Sequence, residues 1–280
     1  MSELCRCGRM KVFLTPTFLE ETVATYGAAE RATDWANHLE FALEICNGGI
    51  FLPKEAIWRE ELVAGRGTFA GHLVPKRQTK RHNSLPRLIE QLGEIARSGD
   101  FSHQWLATEA ERKDHREKRK TQREILVDAR IKVGKERKER HITEPLNAYS
   151  YEQFRDSIFL DVGRNLMDLV SARRTAALGD QWARQPQRFP FYSAFVEGVV
   201  YAGYHATVRH NEPIDENTQP DYEQLAYLTW ADIVVSNDRR FFRQAFEAIW
   251  KPRGKRLETT ESFVALVDRL APSIGPVGNR

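Results

Sequence analysis

Apolar residues along this chain fall into two rhythms, short β-branched or aromatic runs and longer stretches with helical spacing. Lys11 to Leu14 is a short apolar run ended by Thr15-Pro16, and Phe18, Leu19, Val23 and Tyr26 then space out as a helix with Thr17 as its N-cap. Trp35, Leu39, Ala42, Leu43 and Cys46 predict a second helix over 34–46, stopped by Asn47-Gly48-Gly49. Ile50-Phe51-Leu52 reads as a strand, and Pro53 opens a helix carrying Ile57, Trp58, Glu61 and Leu62. Residues 65–71 read as loop, and a further helix is predicted over 85–96. The charged stretch 101–141 predicts a long solvated helix with i, i+4 pairs, but its sparse apolar residues hold no heptad, so no long coiled coil is expected.

The second half is more apolar. An amphipathic helix is predicted over 154–178 through Phe159, Val162, Leu166, Leu169 and Val170, and a core helix over 189–208, where Gly198 and Gly203 allow close packing. Residues 212–219 form a polar loop that delivers the chain to PDYEQLAYLTWADIVVSNDRRFF, residues 220–242. Here Asp221 opens a helix, Ile233-Val234-Val235 reads as a buried parallel strand, and Ser236-Asn237-Asp238 ends it with turn chemistry. A basic-aromatic helix follows from Arg239, then a strand over 256–258 and a last helix capped by Thr259 or Thr260.

These lengths carry a spatial consequence. A helix from Asp221 to Trp230 travels about 15 Å, and a strand from Asp232 to Asn237 returns about 16–20 Å. A helix packed against the next strand runs antiparallel to it, so Asp221 and Asp238 are expected at one edge, the carboxyl end of the strand, where open α/β sheets place ligands. Two carboxylates there point to a cation site or to acid–base chemistry. Glu20 and Glu21, in the first turn of the helix after Pro16, either compensate its dipole or point into that same edge.

Composition narrows the class without deciding it. The 280 residues hold one large domain or two modest ones, and 41% hydrophobic with 29% charged residues describes an ordinary soluble chain. No apolar run approaches the roughly 18 residues of a membrane helix, and the N-terminus lacks a signal-peptide core, so a cytoplasmic protein is expected. Cys5, Cys7 and Cys46 make neither a disulfide framework nor a zinc pattern. His205 and His210 have no acidic or cysteine partner at ligand spacing and read as incidental. The basic excess sits in one segment: residues 109–141 carry 13 Lys or Arg against 8 Asp or Glu, and the remainder carries 29 against 31. That segment is either a solvated arm or a phosphate-contacting one. There is no internal repeat, Gly-rich phosphate loop or GxSxG motif.

The passage AYLTWADIVVSNDRRF resembles the carboxyl-terminal half of PIN-like domains, the nuclease fold of bacterial toxin ribonucleases and related RNA-cleaving proteins. On that resemblance Asp221 and Asp238 match two family acids, Asp232 the helix-exit aspartate, and residues 257–263 the following strand and helix start. FLTPTFLEE resembles the family's second-strand motif, which makes Glu21 a family acid and Glu20 its neighbour. The family's opening strand, which ends in aspartate, is absent from the given sequence. Either that strand lies upstream, as the spacing from Pro16 to Glu21 favours, or 13–17 is that strand with Thr15 in place of the aspartate, and Glu60 or Glu61 supplies the later acid.

The resemblance implies an α/β fold, a PIN-like three-layer α/β/α arrangement with a short parallel sheet and a large helical insertion. Residues 1–99 and 190–280 would form the two parts of one domain, with 100–189 a charged helical insertion. It implies a metal-dependent endoribonuclease in which Asp221, Asp238 and Glu21 hold Mg²⁺ or Mn²⁺, with Asn237, Arg239 and Arg240 meeting the substrate and Asp232 shaping the site. RNA is the expected partner, with an antitoxin or another protein, or a second copy in a homodimer, as the further partners such toxins suggest. The alternative is a PIN-like nucleic-acid-binding or interaction protein without catalysis.

Overall fold

The computed structural model describes residues 1–18, 37–38, 41–42, 44–46, 49–74, 102–143, 149–170, 175–209 and 212–271. In chain order its helices are α1 (Ser2–Arg6), α2 (Lys54–Ala64), α3 (Ser102–Glu139), α4 (Tyr151–Val170), α5 (Thr175–Arg184), α6 (Pro190–Thr207), α7 (Thr218–Ala226), α8 (Phe241–Ile249) and α9 (Thr260–Leu270). Two strands, β1 (Ile233–Val235) and β2 (Arg256–Glu258), pair in parallel with Val234 opposite Leu257. Leu14 bridges Ile50 in parallel, and Phe51 bridges Leu73 in antiparallel. The class is mixed α/β with helices dominating. Among the described residues no helix is long and apolar enough to cross a membrane.

Helix α6 is the axis of the core. Pro190 stands at its start, where a missing N–H costs nothing, and the residues that follow are apolar on nearly every face. Phe191, Val196, Val200 and Ala206 are at most 1% exposed, and α4, α3, α7, α2 and α8 all pack around this helix. A fully buried side chain of this size contributes about 1.5–3 kcal/mol over an exposed one. Gly198 lets α7 approach, since a Cβ there would sit 2.8 Å from Tyr222 Cβ. Gly163 of α4 does the same for Trp182, whose ring would lie 2.1 Å from an added Cβ. The Tyr192 hydroxyl donates to the Gly163 carbonyl at 2.6 Å across the same contact. Tyr151, Met167 and Trp182 from 149–184 thus share one cluster with Phe51 and Phe241.

Several expectations need correction. The helix predicted over 154–178 is two, α4 and α5. The predicted helix 221–230 begins at Thr218 and tightens into a 3-10 turn over Tyr227–Thr229, and the helix predicted from Arg239 begins at Phe241. Thr15, rather than Thr17, caps the turn at 16–18: its hydroxyl accepts from Phe18 N at 3.1 Å, because Pro16 occupies the first helical position. Strand β1 is half-exposed rather than buried, with Val235 37% exposed. Helix α3 is the long charged helix expected, but its middle is docked: Arg123 Nε donates to Ile214 O at 2.9 Å and Arg130 Nε to Ala206 O at 2.6 Å. The helix over 34–46 is described only at 37–38, 41–42 and 44–46, which are helical, and that over 85–96 lies outside the described residues.

Candidate functional site

The turn after β1 is held by its own side chains. Ser236 N extends the ladder to Glu258 O at 2.9 Å, and Ser236 Oγ accepts from Asp238 N at 3.1 Å. Asp238 Oδ1 in turn accepts from Arg240 N at 2.7 Å, so this carboxylate turns the chain into α8. The Asn237 amide donates to Thr260 Oγ1 at 2.9 Å and accepts from Thr260 N at 3.0 Å, which ties the end of β1 to the start of α9. Thr259 and Ser262 complete that start with a reciprocal capping box. Arg239 and Arg240 are exposed beside this turn. Asp232 is exposed at the opposite end of β1 and pairs with Lys255 at 3.3 Å. Asp221 stands half-buried in the first turn of α7. Glu20 and Glu21 lie outside the described residues.

Mg²⁺ and Mn²⁺ are held by oxygen donors, commonly one or two carboxylates with waters and substrate phosphate. Among the described residues no three acids, histidines or cysteines gather as a metal site, so those residues alone do not form a cation cage.

A hollow of about 410 Å³ lies where the parallel pair Leu14 and Ile50 ends. Thr17 and Lys54 enter it from the segments that follow those two residues, Gln219 and Glu223 of α7 line it with Tyr227 of the following 3-10 turn, and Lys118 and Arg119 enter from α3. The Tyr227 hydroxyl donates to Leu52 O at 3.1 Å and pins α7's end to the bridge segment. Lys54 pairs with Glu223, which also accepts from Gln219 Nε2 at 2.8 Å. Gln219 Oε1 is buried with no hydrogen-bond donor. At 100° per residue Asp221 lies roughly 160° around α7 from both Gln219 and Glu223. The α7 acid on this hollow is therefore Glu223, not Asp221. No motif marks Glu223; only its i, i+4 register with Gln219 and Tyr227 could have shown it.

A second polar constellation is sealed in the core. Glu61 is 0% exposed, and its two oxygens accept from Phe191 N at 3.0 Å and Tyr192 N at 2.9 Å, the otherwise unpartnered N–H groups that open α6. His72, equally buried, sets Nε2 3.3 Å from Glu61 Oε1, a close contact without good hydrogen-bond alignment. Trp230 Nε1–H donates to His72 Nδ1 at 2.7 Å. Because Nδ1 accepts, the neutral ring carries its proton on Nε2, toward the carboxylate. Gly67 makes room: a Cβ there would lie 2.1 Å from Glu61 Oε1. Glu61, one of the two acids the Thr15 alignment assigns to the site, is thus spent on the core.

No protein family, curated protein or solved structure matches this chain.

Proposed function

We propose that this protein is a PIN-like, three-layer α/β/α protein that binds RNA, taking the phosphodiester backbone at the hollow beyond Leu14 and Ile50. One observation carries the reading: α3, which holds the chain's basic excess, delivers Lys118 and Arg119 to the same hollow as Lys54, at the carboxyl end of a parallel pair. Lysine and arginine there meet phosphate oxygens, and the paired Glu223 keeps Lys54 in place. Binding of this kind releases counterions and weakens as salt rises.

A second reading, a metal-dependent endoribonuclease using Asp221, Asp238 and Glu21, draws on the resemblance and on one observation. The ADIVVSND sequence is built as a strand and a turn, with Asp238 in the turn that follows the carboxyl end of β1 and leads to α8 at Phe241. One experiment addresses both. Purified protein is titrated with single-stranded and hairpin RNA across a salt series, then incubated with Mg²⁺, Mn²⁺ or EDTA. Binding whose salt slope falls by about one when Arg119 becomes alanine supports the RNA-binding reading. Salt-independent binding, or binding untouched in Lys118→Ala/Arg119→Ala, overturns it. Cleavage that needs metal and disappears in Asp238→Asn establishes the nuclease, and equal cleavage by wild type and Asp238→Asn removes it.

A further inference from the structure

Strand β1 bonds β2 through alternate residues. Arg256 N donates to Asp232 O and Ser236 N to Glu258 O, both at 2.9 Å, and Val234 makes the bonds between them. In such a ladder the intervening residues turn their N–H and C=O groups to the other side. Ile233 and Val235 therefore each present a donor and an acceptor along the far edge of β1, and neither has a backbone partner there among the described residues. Native edges are blunted with charge, proline or a bulge, or are covered by another element. The β2 side follows that rule, since β2 carries Arg256 and Glu258 and α9 packs against it. The β1 side does not: its residues are Ile233, Val234 and Val235, and Val235 is 37% exposed. Val234 and Leu257 pack against the core, so the Ile233 and Val235 side chains lie on the outer face of the sheet.

Unpaired main-chain groups beside apolar side chains are completed by a further extended strand. We propose that a second copy of this chain supplies it, β1 pairing with β1 in antiparallel across a two-fold axis at Val234. The edge is self-complementary in that register. Ile233 of each copy meets Val235 of the other, and each such pair exchanges both N–H···O bonds, so every outward group of the two residues finds a partner. The side chains brought opposite one another are β-branched and apolar, a favourable cross-strand pairing. Charge fits as well. The register sets Asp232, its side chain 94% exposed and paired with Lys255 through Oδ1, beside the second copy's turn at 236–238. That turn leads into Arg239 and Arg240, which are exposed and make no ion pair among the described residues. The contact uses no residue that lines the hollow at Lys54, so it stands or falls apart from RNA binding.

The test is sedimentation of the full chain over a concentration series, joined to amide hydrogen exchange at Ile233 and Val235. A dimer that dissociates on dilution, with those two amides protected in the dimer and open in the monomer, is the expected result. Val235→Pro removes one outward N–H and leaves the ladder to β2 intact, because Val235 N does not face β2. A substitution acts twice at a two-fold contact, so the dissociation constant should rise about tenfold or more. Val235→Lys is the second variant. It keeps the backbone and sets a charge on the apolar edge, and a similar rise is expected. Lys118→Ala should leave the dissociation constant unchanged. A chain that is monomeric throughout the series, or a dimer unaltered in both Val235 variants, overturns the proposal. So does protection of both amides in the monomer, which would assign the edge to another segment of the same chain.

Discussion

Two acids open helices in this molecule, and they do opposite things. Glu61 reaches from α2 across 130 positions to the first N–H groups of α6, and Asp238 reaches two positions to the N–H of Arg240. The first bond is dry and non-local, with the His72 ring beside it. The second is local and half-exposed. A buried carboxylate that serves a distant helix fixes how elements pack, because its removal strands several groups at once. A carboxylate that closes its own turn fixes only that turn. The difference separates a carboxylate that fixes how distant elements pack from one that fixes a single turn.

Breaking the buried side should have the largest effect. Glu61→Ala leaves two buried α6 N–H groups without an acceptor, and a loss of about 3–5 kcal/mol is expected in urea unfolding. A loss below about 1 kcal/mol would show that water or a rearranged loop replaces the carboxylate. Trp230→Phe probes the far end of the same chain. It keeps most of the ring contact with Phe69 but strands His72 Nδ1, for about 1–3 kcal/mol. Because Glu61 and Trp230 act through one imidazole, the double variant should fall short of the sum of the two.

What could be read from the sequence follows this same division. Elements with local signals were legible: Pro53 before a helix, the β-branched 233–235, and Thr259 as a cap. The turn at 236–238 was legible too, since Ser236 and Asp238 make their side-chain bonds within two positions, although the tie from Asn237 to Thr260 was not. The partnership of Glu61, His72 and Trp230 was not, because it joins positions 61, 72 and 230, and nothing in local spacing records that meeting. His205 shows the same limit. It reads as incidental in sequence, yet it is 2% exposed, meets Glu212 at 3.2 Å and packs edge-on against Phe241. The three acids expected to share a metal are a middle case: Asp221 and Asp238 occupy the elements anticipated, and Glu21 lies outside the described residues.

His205 gives a pH-dependent way to sharpen the contrast between buried and exposed polar groups. Burial lowers its pKa from 6.5, and the facing Glu212 opposes that only in part, while Arg130 and Arg209 add to the lowering. The folded ring therefore resists protonation that the unfolded chain accepts. Stability from this group is complete above about pH 6.5 and declines as pH falls through that value toward the lower folded pKa. Urea midpoints measured between about pH 8 and pH 5 should fall on the acid side, and His205→Phe should flatten that fall. An unchanged slope in the variant would assign the acid sensitivity elsewhere.

The smallest effect is expected at Asp238, and its smallness is what makes it useful. Asp238→Asn keeps an oxygen that accepts from Arg240 N, so the turn into α8 survives and stability should shift by no more than about 0.5 kcal/mol. Asp238→Ala removes that acceptor and should cost about 1 kcal/mol, the usual loss for a helix-entry side chain. Asn237→Ala should be somewhat worse, because both of its bonds to Thr260 join β1 to α9. If the three variants rank in that order by urea unfolding, the asparagine at 238 is a substitution the fold does not notice. Any change it makes in RNA binding or cleavage then reports on the carboxylate's charge rather than on the turn. An Asp238→Asn variant as unstable as Asp238→Ala would instead show that the charge itself holds the turn, and the contrast with Glu61 would narrow to one of depth.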